Sequence, residues 1–398
     1  VPETTADKLS EFSDFASRLA DSTNLIFYYN GYRWRISGGH LITWLVLREE
    51  NDIGVDTVKL EDFLTKTVAP VIDDPPQNSR FEMRYGKLIE IVPGKPGNVV
   101  DVKKTAERVE QIVSVAQRSF AGSRNLLLAL ASAGSQIDTD FKGGNIEIPL
   151  EVVRSEPKLS RKTIDQYEIK DLVGLSITGF KGSSDDRRKN IEIGVSKLNG
   201  LLIAPDEEFS AVNAIGEVNE EGGFVKEYVI KEDRSVKELG GGLCQIATTL
   251  FRLALDSGLP ITERVNHRYV VGYYGPGLDA TIYGPKPDLR FVNDTGNYIL
   301  LQGRVEGDQV IFEFYGQKDD RKVEISEPVL SDELPAPDTR YITTADLKLG
   351  EFQCGEYPRK GITADVTYKV SYLDGRINEQ NFHSVYQPWS KVCLIGIR

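Results

Sequence analysis

The residues best suited to covalent chemistry lie in a glycine-rich turn that opens an apolar helix. The turn reads Gly240-Gly241-Gly242-Leu243-Cys244-Gln245, and apolar residues follow it at helical spacing until Gly258 and Pro260. Unpaired backbone N–H groups and the helix dipole lower the pKa of a cysteine at a helix start. The turn therefore predicts a thiolate nucleophile at Cys244. The alternative is a buried, inert cysteine on an apolar face, and the turn alone leaves both open.

A thiol nucleophile needs a base, and the candidates are His267 and an orienting carboxylate, Asp279. Thiol enzymes of the papain and transglutaminase type place the cysteine at a helix start and the histidine on a following strand. We expect residues 261–267 to form that strand. Asp279 can reach His267 only if residues 270–277 form a loop, because a tight hairpin turn there would separate the two by about 20 Å. The alternatives are a structural histidine and a turn or capping aspartate.

The same segment contains candidate groups for holding substrate and a developing oxyanion. The backbone N–H groups of Cys244 and Gln245, together with the Gln245 side chain, are the candidate oxyanion donors. Gly242, Thr248 and Arg264 are further candidates for positioning a substrate. For Arg264 the competing interpretation is a structural ion pair with Asp288.

Composition narrows the class of protein. The chain has 398 residues, of which 40% are hydrophobic and 27% charged, as in ordinary globular proteins. A net charge of −12 without a long basic run argues against a nucleic-acid surface. No apolar stretch approaches the roughly eighteen residues that would span a bilayer. Because the chain starts at Val1 and its only methionine is Met83, we expect a signal peptide or N-terminal membrane anchor ahead of it.

The positions of the cysteines and histidines bear on disulfide formation and metal binding. Cys354 and Cys393 both lie in the last 50 residues, so we predict a disulfide between them and a free thiol at Cys244. None of the three histidines has a second ligand at helical spacing, so we predict neither a metal site nor any other cofactor.

The pattern of periodicity predicts an α+β multidomain protein with three regions. Residues 1–157 form an α+β region of helices and hairpins, residues 163–328 a second α+β region, and residues 335–398 a small all-β module. The predicted elements of the first two regions are helices at 5–20, 59–69, 102–118 and 187–198, hairpins at 25–36 and 80–92, and strands at 40–47, 125–130 and 145–153.

The central region resembles the VanW family of bacterial envelope proteins. The matching stretches are Asn199-Gly200-Leu201-Leu202-Ile203-Ala204-Pro205, Phe209-Ser210, Gly240 to Gln245, Thr248-Thr249-Leu250, Glu263-Arg264, His267, Gly277-Leu278-Asp279-Ala280-Thr281 and Asp288-Leu289-Arg290-Phe291. The first 155 residues are similar to the peptidoglycan-binding domain that often precedes VanW. The tail, with Gly350, Gly361, Asp374-Gly375 and Tyr386-Gln387-Pro388, is similar to the five-glycine extracellular module.

This resemblance implies an exported, wall-facing protein associated with vancomycin resistance clusters, without implying an activity. The predicted partner is peptidoglycan or its stem peptides, with no nucleic acid and with membrane contact only through a missing N-terminal anchor. We expect a monomer. Three functions remain. The first is a thiol-dependent acyl-transfer or amide-cleaving enzyme that uses Cys244 and His267, in a papain- or transglutaminase-like arrangement. The second is a non-catalytic wall-binding protein, and the third is a surface scaffold for a sporulation or envelope complex.

Overall fold

A computed structural model describes residues 6–48, 53–123, 136–138, 144–231, 234–345, 347–354 and 358–398. As predicted, it is an α+β multidomain protein. The chain forms two compact units, one made of Val1–Asn78 and Gly94–Lys158, the other of Ser79–Pro93 and Leu159–Arg398. Among the described residues, no helix is long and apolar enough to cross a membrane.

The first unit alternates helices with short strands. Its elements are α1 Ala6–Ser22, β1 Thr23–Tyr29, β2 Tyr32–Ser37, α2 Gly38–Leu41, β3 Leu45–Leu47, β4 Ile53–Val55, α3 Thr57–Phe63, α4 Ala69–Ile72, β7 Gly97–Val100, α5 Val102–Ser123, β8 Gln136–Asp138, β9 Gly144–Pro149 and β10 Val152–Ser155. A sheet in the order β2-β1-β9-β8 carries the core residues Leu25, Phe27 and Ile148. The predicted hairpin turns at Asn30-Gly31, where both residues have positive φ.

Three sequence predictions in this unit need correction, and a fourth cannot be compared. The strand predicted at 145–153 is two strands, β9 and β10, which belong to different sheets. Residues 40–47 are not one strand, because Ser37 caps a helix at Gly38–Leu41 by accepting from the His40 N–H at 3.3 Å. A 3₁₀ turn follows, and only Leu45–Leu47 is extended. The helix predicted at 59–69 is divided by a π-helical stretch at Leu64–Val68. The predicted strand at 125–130 lies outside the described residues.

The second unit contains most of the strands. Its elements are β5 Arg80–Arg84, β6 Lys87–Val92, β11 Asp171–Gly179, α6 Asp185–Leu198, β12 Leu201–Ile203, β13 Glu208–Ser210, α7 Ala211–Ile215, β14 Lys226–Lys231, β15 Arg234–Leu239, α8 Leu243–Asp256, β16 Ile261–Glu263, β17 Arg290–Val292, β18 Ile299–Glu306, β19 Gln309–Gly316, β20 Lys322–Ile325, β21 Val329–Leu334, β22 Arg340–Thr344, β23 Phe352–Cys354, β24 Gly361–Ser371, β25 Ile377–Tyr386 and β26 Val392–Gly396.

An antiparallel sheet and two helices form the centre of this unit. The sheet has the strand order β11-β19-β18-β12, and α6 and α8 lie on one core with it. Helix α8 is buried on nearly all sides, since Ile246, Leu250 and Phe251 have no exposed surface. A helix that is apolar around most of its circumference is one that a core encloses. The core therefore fixes α8, and with it the first residues of the helix.

The hairpin β5–β6 was predicted as part of the first region, but its contacts belong to the second unit. Phe81 and Met83 pack in a small cluster with Ile164 and Leu300. The Met83 N–H also donates to Gln302 Oε1 at 2.7 Å. These apolar side chains find their buried environment far along the chain, which the local turn chemistry of the hairpin does not reveal.

The C-terminal strands continue the core of the central region. Tyr368 and Val370 of β24 are buried in the cluster that contains Phe251 and Ile246 of α8. Phe251 also meets the ring of Phe382 on β25 at 5.2 Å between ring centroids. The predicted Cys354–Cys393 disulfide is confirmed, and it joins paired residues of β23 and β26.

Candidate functional site

The glycine turn delivers Cys244 into the first turn of α8. Gly242 is the N-cap with a φ of +114°, a conformation that side chains with a Cβ rarely adopt. A Cβ there would also lie 3.1 Å from Ile191 Cγ1. Cys244 is a free, partly exposed cysteine, and its Sγ lies 3.7 Å from the Ile282 carbonyl oxygen. Glycine at 242 thus lets the chain reverse so that the thiol emerges at the helix start.

His267 does not lie on a strand, which corrects the prediction for residues 261–267. Strand β16 ends at Glu263, because its partner β17 is only three residues long. The chain from Arg264 to Leu289 then follows an irregular path with turns. Residues 270–277 form turns rather than a strand, which is the condition under which Asp279 can reach His267.

The irregular segment brings Asp279 directly to His267. Asp279 Oδ2 lies 2.6 Å from His267 Nδ1 and accepts the His267 backbone N–H at 2.7 Å. One carboxylate oxygen therefore fixes both the ring and the backbone of the histidine. The nitrogen that Asp279 leaves free is Nε2, and the His267 side chain also interacts electrostatically with the Cys244 thiol.

The electrostatics of this group favour a thiolate–imidazolium pair. Burial opposes the thiolate, but the hydrogen bond and the charge of His267 outweigh it and lower the pKa of Cys244. Burial also opposes the imidazolium, but hydrogen bonds to Asp279 and Cys244 raise the pKa of His267 to about 9. The pair resembles the activated thiols of cysteine-dependent enzymes in its chemistry.

Asp279 is a buried carboxylate with several donors. Its side chain is 1% exposed, and Arg264 Nη2 lies 3.2 Å from Oδ1. The Tyr386 hydroxyl donates to the same oxygen. Burial alone would raise the pKa of Asp279, but the hydrogen bonds from His267 and Tyr386 lower it. Asp279 therefore keeps its negative charge beside His267.

The predicted ion pair of Arg264 with Asp288 is wrong. Arg264 instead contacts Asp279, donating to its carbonyl oxygen at 2.6 Å as well as to its carboxylate. Asp288 pairs with Arg290 at 3.0 Å. Because the chain leaves the sheet after Glu263, the strand register that linked Arg264 to Asp288 does not extend this far.

Gln245 is engaged elsewhere and does not supply the predicted oxyanion donors. Its side chain is fully buried, and its amide donates to Thr178 Oγ1 at 2.5 Å and to the Gly179 carbonyl at 3.2 Å. Its Oε1 accepts from Arg187 and Tyr274. Its backbone N–H donates to the Gly242 carbonyl at 2.9 Å. The backbone N–H of Cys244 is the predicted donor that remains, since the first N–H groups of a helix have no intrahelical acceptor.

Thr248 positions backbone rather than substrate. It is fully buried one helical turn after Cys244, and its Oγ1 both donates to the Ala280 carbonyl and accepts the Ala280 N–H, each at 3.1 Å. This reciprocal pair fixes the residue that follows Asp279. Thr248 therefore ties α8 to the carboxylate side of the site.

Three residues that support the site were absent from the sequence prediction. Tyr386 lies in the C-terminal module, Tyr274 donates to Gln245 at 3.0 Å, and Arg252 donates to the Tyr274 and Leu278 carbonyls. The sequence could have indicated Arg252, because it is the one charged residue between Leu243 and Leu255 in a mostly apolar helix. A charge in that position needs buried acceptors.

The exposed side of the site is lined with aromatic and basic groups. Tyr273 and Tyr283 are more than half exposed, and Tyr283 directly follows Ile282, whose carbonyl faces the thiol. Arg187 Nη2 donates to the Tyr273 hydroxyl at 3.0 Å, and its charge also favours the Cys244 thiolate. The reactive atoms thus lie between a buried network and an accessible surface.

Comparison with known proteins relates two parts of this chain to known families. Residues 186–315, a range that includes Cys244, His267 and Asp279, match the family described as "VanW like protein". Residues 47–120 match the family described as "Putative peptidoglycan binding domain".

Two relatives and one solved structure are similar to parts of the chain. An uncharacterized protein, YoaR of Bacillus subtilis (strain 168), is 29% identical over 43% of this chain and 55% of its own length. The vancomycin B-type resistance protein VanW of Enterococcus faecalis (strain ATCC 700802 / V583) is 27% identical over 32% of this chain and 49% of its own. The matches thus span about half of each relative. The IgA1 protease G5 domain structure covers 21% of this chain and 99% of its own at 12% identity, with a TM-score of 0.13.

Proposed function

We propose that this chain is a thiol-dependent enzyme that acts on peptidoglycan peptides in the cell envelope. The match of residues 186–315 to the VanW-like family and of residues 47–120 to the family described as "Putative peptidoglycan binding domain" supports a cell-envelope role. The reaction class is acyl transfer or amide cleavage, with Cys244 as nucleophile, His267 as acid and base, and Asp279 as the orienting carboxylate. The observation that carries the proposal is the buried Asp279 carboxylate, which lies 2.6 Å from His267 Nδ1, together with the interaction of His267 that lowers the pKa of the Cys244 thiol. A structural cysteine needs no such partners.

The geometry supports a two-step mechanism. The Cys244 thiolate attacks the carbonyl carbon of an amide, and the backbone N–H of Cys244 at the helix start faces the oxyanion that develops. The C–N bond then breaks, and the His267 imidazolium gives its proton to the leaving amine, which leaves a thioester on Cys244. In the second step His267 takes a proton from water or from an acceptor amine, whose attack releases the acyl group and restores the thiol. Asp279 keeps the ring oriented in both steps.

The expected pH dependence follows from the two shifted pKa values. The thiolate is lost as the pH falls below the lowered pKa of Cys244, and the imidazolium is lost as the pH rises through about 9. Peptide turnover should therefore follow a bell-shaped profile whose upper limb lies near pH 9. Alkylation by iodoacetamide needs only the thiolate, so it should lack that upper limb. Arg187 and Tyr274 also interact with the Cys244 thiol, and Arg252 and Arg264 interact with Asp279. All four groups therefore contribute to the pH dependence of both turnover and alkylation.

The test uses purified peptidoglycan and its soluble muropeptides as substrates. The wild-type chain should release or exchange acyl groups from stem peptides, which mass spectrometry detects, and Cys244→Ser should reduce the rate by at least about a thousandfold. Rapid labelling of Cys244 by iodoacetamide at pH 7 should accompany the activity. Slow labelling, comparable to that of an unperturbed thiol, together with no change in any muropeptide, would refute the enzyme.

A second candidate, non-catalytic wall binding, is favoured by the match of residues 47–120 to a peptidoglycan-binding family. Binding and catalysis can be separated by one variant, because Cys244→Ala removes the nucleophile without touching residues 47–120. If the chain is only a binding module, wild type and Cys244→Ala should bind sacculi equally and neither should alter them. If it is an enzyme, both should bind and only the wild type should alter the wall.

The remaining assignments belong to this proposal. An extracellular or wall-associated location agrees with the disulfide and the peptidoglycan-binding family match. A link to vancomycin resistance is supported only by the similarity to the resistance protein VanW. We propose a monomer, which size-exclusion chromatography with light scattering would test.

A further inference from the structure

The support for Asp279 comes partly from a strand more than a hundred residues further along the chain. Ser384 and Tyr386 lie two residues apart on β25, so their side chains share one face of the strand. Both side chains are buried, whereas Val385 between them is 47% exposed. Two successive polar residues on a buried face need partners. Those partners are groups of the candidate site.

The Tyr386 hydroxyl makes two hydrogen bonds, one of them to the oxygen of Asp279 that does not face the histidine. Its hydroxyl donates to Asp279 Oδ1 and accepts the Gly277 N–H at 2.7 Å. Ser384 Oγ accepts from Arg264 Nη1 at 2.8 Å, and Arg264 in turn contacts Asp279. The strand therefore reaches the carboxylate directly through Tyr386 and indirectly through Ser384.

Further contacts hold β25 and its neighbours against the same segment. The Gln387 N–H donates to the Arg268 carbonyl at 2.7 Å, and Asn266 Nδ2 donates to the Val385 carbonyl at 3.1 Å. The Tyr269 and Trp389 rings meet edge to face, with their centroids 4.3 Å apart. These contacts lie on either side of His267 in the sequence, so the strand fixes the backbone that carries the histidine.

We propose that Tyr386 is a positioning residue of the candidate site, and that the C-terminal β strands are therefore part of the reactive unit rather than a separate wall-binding module. The inference rests on the proposed thiol chemistry of Cys244. By occupying Oδ1, the hydroxyl leaves Oδ2 directed at His267 and prevents the carboxylate from rotating. The oriented carboxylate then holds Nδ1, which keeps Nε2 toward the thiol.

This role predicts an effect on the proton affinity of the pair and not only on stability. Without the hydroxyl, Asp279 loses a donor that keeps it ionised and oriented, so the imidazolium is less stabilised. The thiolate then forms at higher pH. A single hydrogen bond to a charged group is strong enough to change the thiolate population at neutral pH about tenfold.

The test compares Tyr386→Phe with Tyr368→Phe in the full chain. Tyr368 is a matched control, because it is also a fully buried tyrosine of the C-terminal hairpin, but its hydroxyl donates to the Leu259 carbonyl, away from the site. With Cys354 and Cys393 oxidised, iodoacetamide reports on Cys244 alone. We expect alkylation at pH 7 to fall about tenfold in Tyr386→Phe, with the inflection shifted to higher pH, and to stay within twofold of wild type in Tyr368→Phe.

The outcomes separate this inference from the enzyme proposal. If the wild type modifies muropeptides but Tyr386→Phe keeps its alkylation profile, the positioning role is overturned and the enzyme stands. If the profile shifts but no muropeptide is modified, the positioning role is supported and the proposed substrate is wrong. If Tyr386→Phe does not fold, as judged by circular dichroism, Ser384→Ala replaces it. We then expect the rate of Cys244 alkylation at pH 7 to fall two- to threefold, and an unchanged pH profile of alkylation overturns the inference.

Discussion

Cys244 is held by a regular helix, whereas His267 and Asp279 are held by irregular backbone. Helix α8 satisfies its own N–H and C=O groups beyond the first turn, and a continuous core encloses it. The segment from Arg264 to Leu289 has few such ladder bonds. Several of its backbone carbonyls are satisfied by side chains from elsewhere.

Side chains on or against α8 donate to the backbone carbonyls of the irregular segment from Arg264 to Leu289, which we call the irregular side of the site; α8 is the helix side. They are Arg252 to the Tyr274 and Leu278 carbonyls, Arg264 to the Gly277 and Asp279 carbonyls, and Thr248 to the Ala280 carbonyl. Both arginines and the threonine are themselves fixed on or against α8, since the Arg264 guanidinium lies over the Phe251 ring. The position of Cys244 on α8 is therefore determined locally, whereas the segment from Arg264 to Leu289 is determined by tertiary contacts. Variants on the irregular side should therefore have the larger effects on chemistry.

Apart from removal of the Cys244 nucleophile itself, the largest effect on activity is expected from Asp279→Asn. The amide has the same shape but no charge, so the imidazolium loses its stabilising partner and turnover should fall roughly 10²- to 10⁴-fold. Loss of the carboxylate also lowers the pKa of His267 from its value of about 9, so the upper limb of the pH profile should move to lower pH.

The chain contains a matched control for this variant. Asp365 also contacts a histidine ring, with Oδ1 2.7 Å from His383 Nδ1, but His383 is 62% exposed and lies outside the site. Asp365→Asn should leave turnover and Cys244 labelling unchanged. Equal losses in the two aspartate variants would mean that charge in general, rather than the buried position of Asp279, is what matters.

The largest effect on stability is expected from Arg264→Met. Arg264 is 4% exposed, and its loss leaves the buried Asp279 carboxylate without one of its two cationic partners and two carbonyls without these donors. Breaking such a pair by removing one partner costs about 3–5 kcal/mol. Urea denaturation of the full chain measures this loss in the free energy of unfolding. Lys360→Met is the control, because the Lys360–Glu333 pair is exposed and its removal should leave the urea midpoint nearly unchanged.

The sequence predicted the helix side well because its signals are local. The glycines, the apolar period and the Gly258–Pro260 stop together placed α8 and put Cys244 in its first turn. The hairpins at 25–36 and 80–92 were confirmed for the same reason, since their turn residues adopt positive φ without help from other elements.

The irregular side could not be predicted because its determinants are distant in sequence. His267 was placed on a strand, and Asp279 was expected to reach it only if residues 270–277 formed a loop. That loop exists because the arginines satisfy its carbonyls, and no local pattern reports such donors. Tyr386 is 107 residues from Asp279, in a region predicted as a separate module. Single-sequence patterns carry no information on such a pairing.

A smaller effect is expected from Thr248→Val, which tests the connection between the two sides. Valine keeps the shape of the side chain, but the Ala280 N–H and carbonyl lose their partner in a buried position. The free energy of unfolding should fall by about 1–3 kcal/mol. Thr281→Val is the control, since Thr281 Oγ1 donates to the Val265 carbonyl near the surface. Similar losses for the two variants would show that α8 does not hold the Asp279 segment more firmly than the surface does.

The smallest effect on chemistry is expected from Gly242→Ala, which strains the helix side alone. At a φ of +114° an added Cβ is unfavourable by about 1–2 kcal/mol, and it would also press on Ile191 and Arg187 at 3.1–3.3 Å. Gly182→Ala is the control for the backbone contribution, because Gly182 has a φ of +81° and no heavy atom within 4 Å of the added Cβ. Gly242→Ala should unfold at lower urea than Gly182→Ala, while its Cys244 labelling profile should stay within twofold of wild type, since the core of α8 keeps the thiol in place. A labelling shift as large as that of Asp279→Asn would show instead that the helix start sets the chemistry, and that the two sides of the site depend on each other equally.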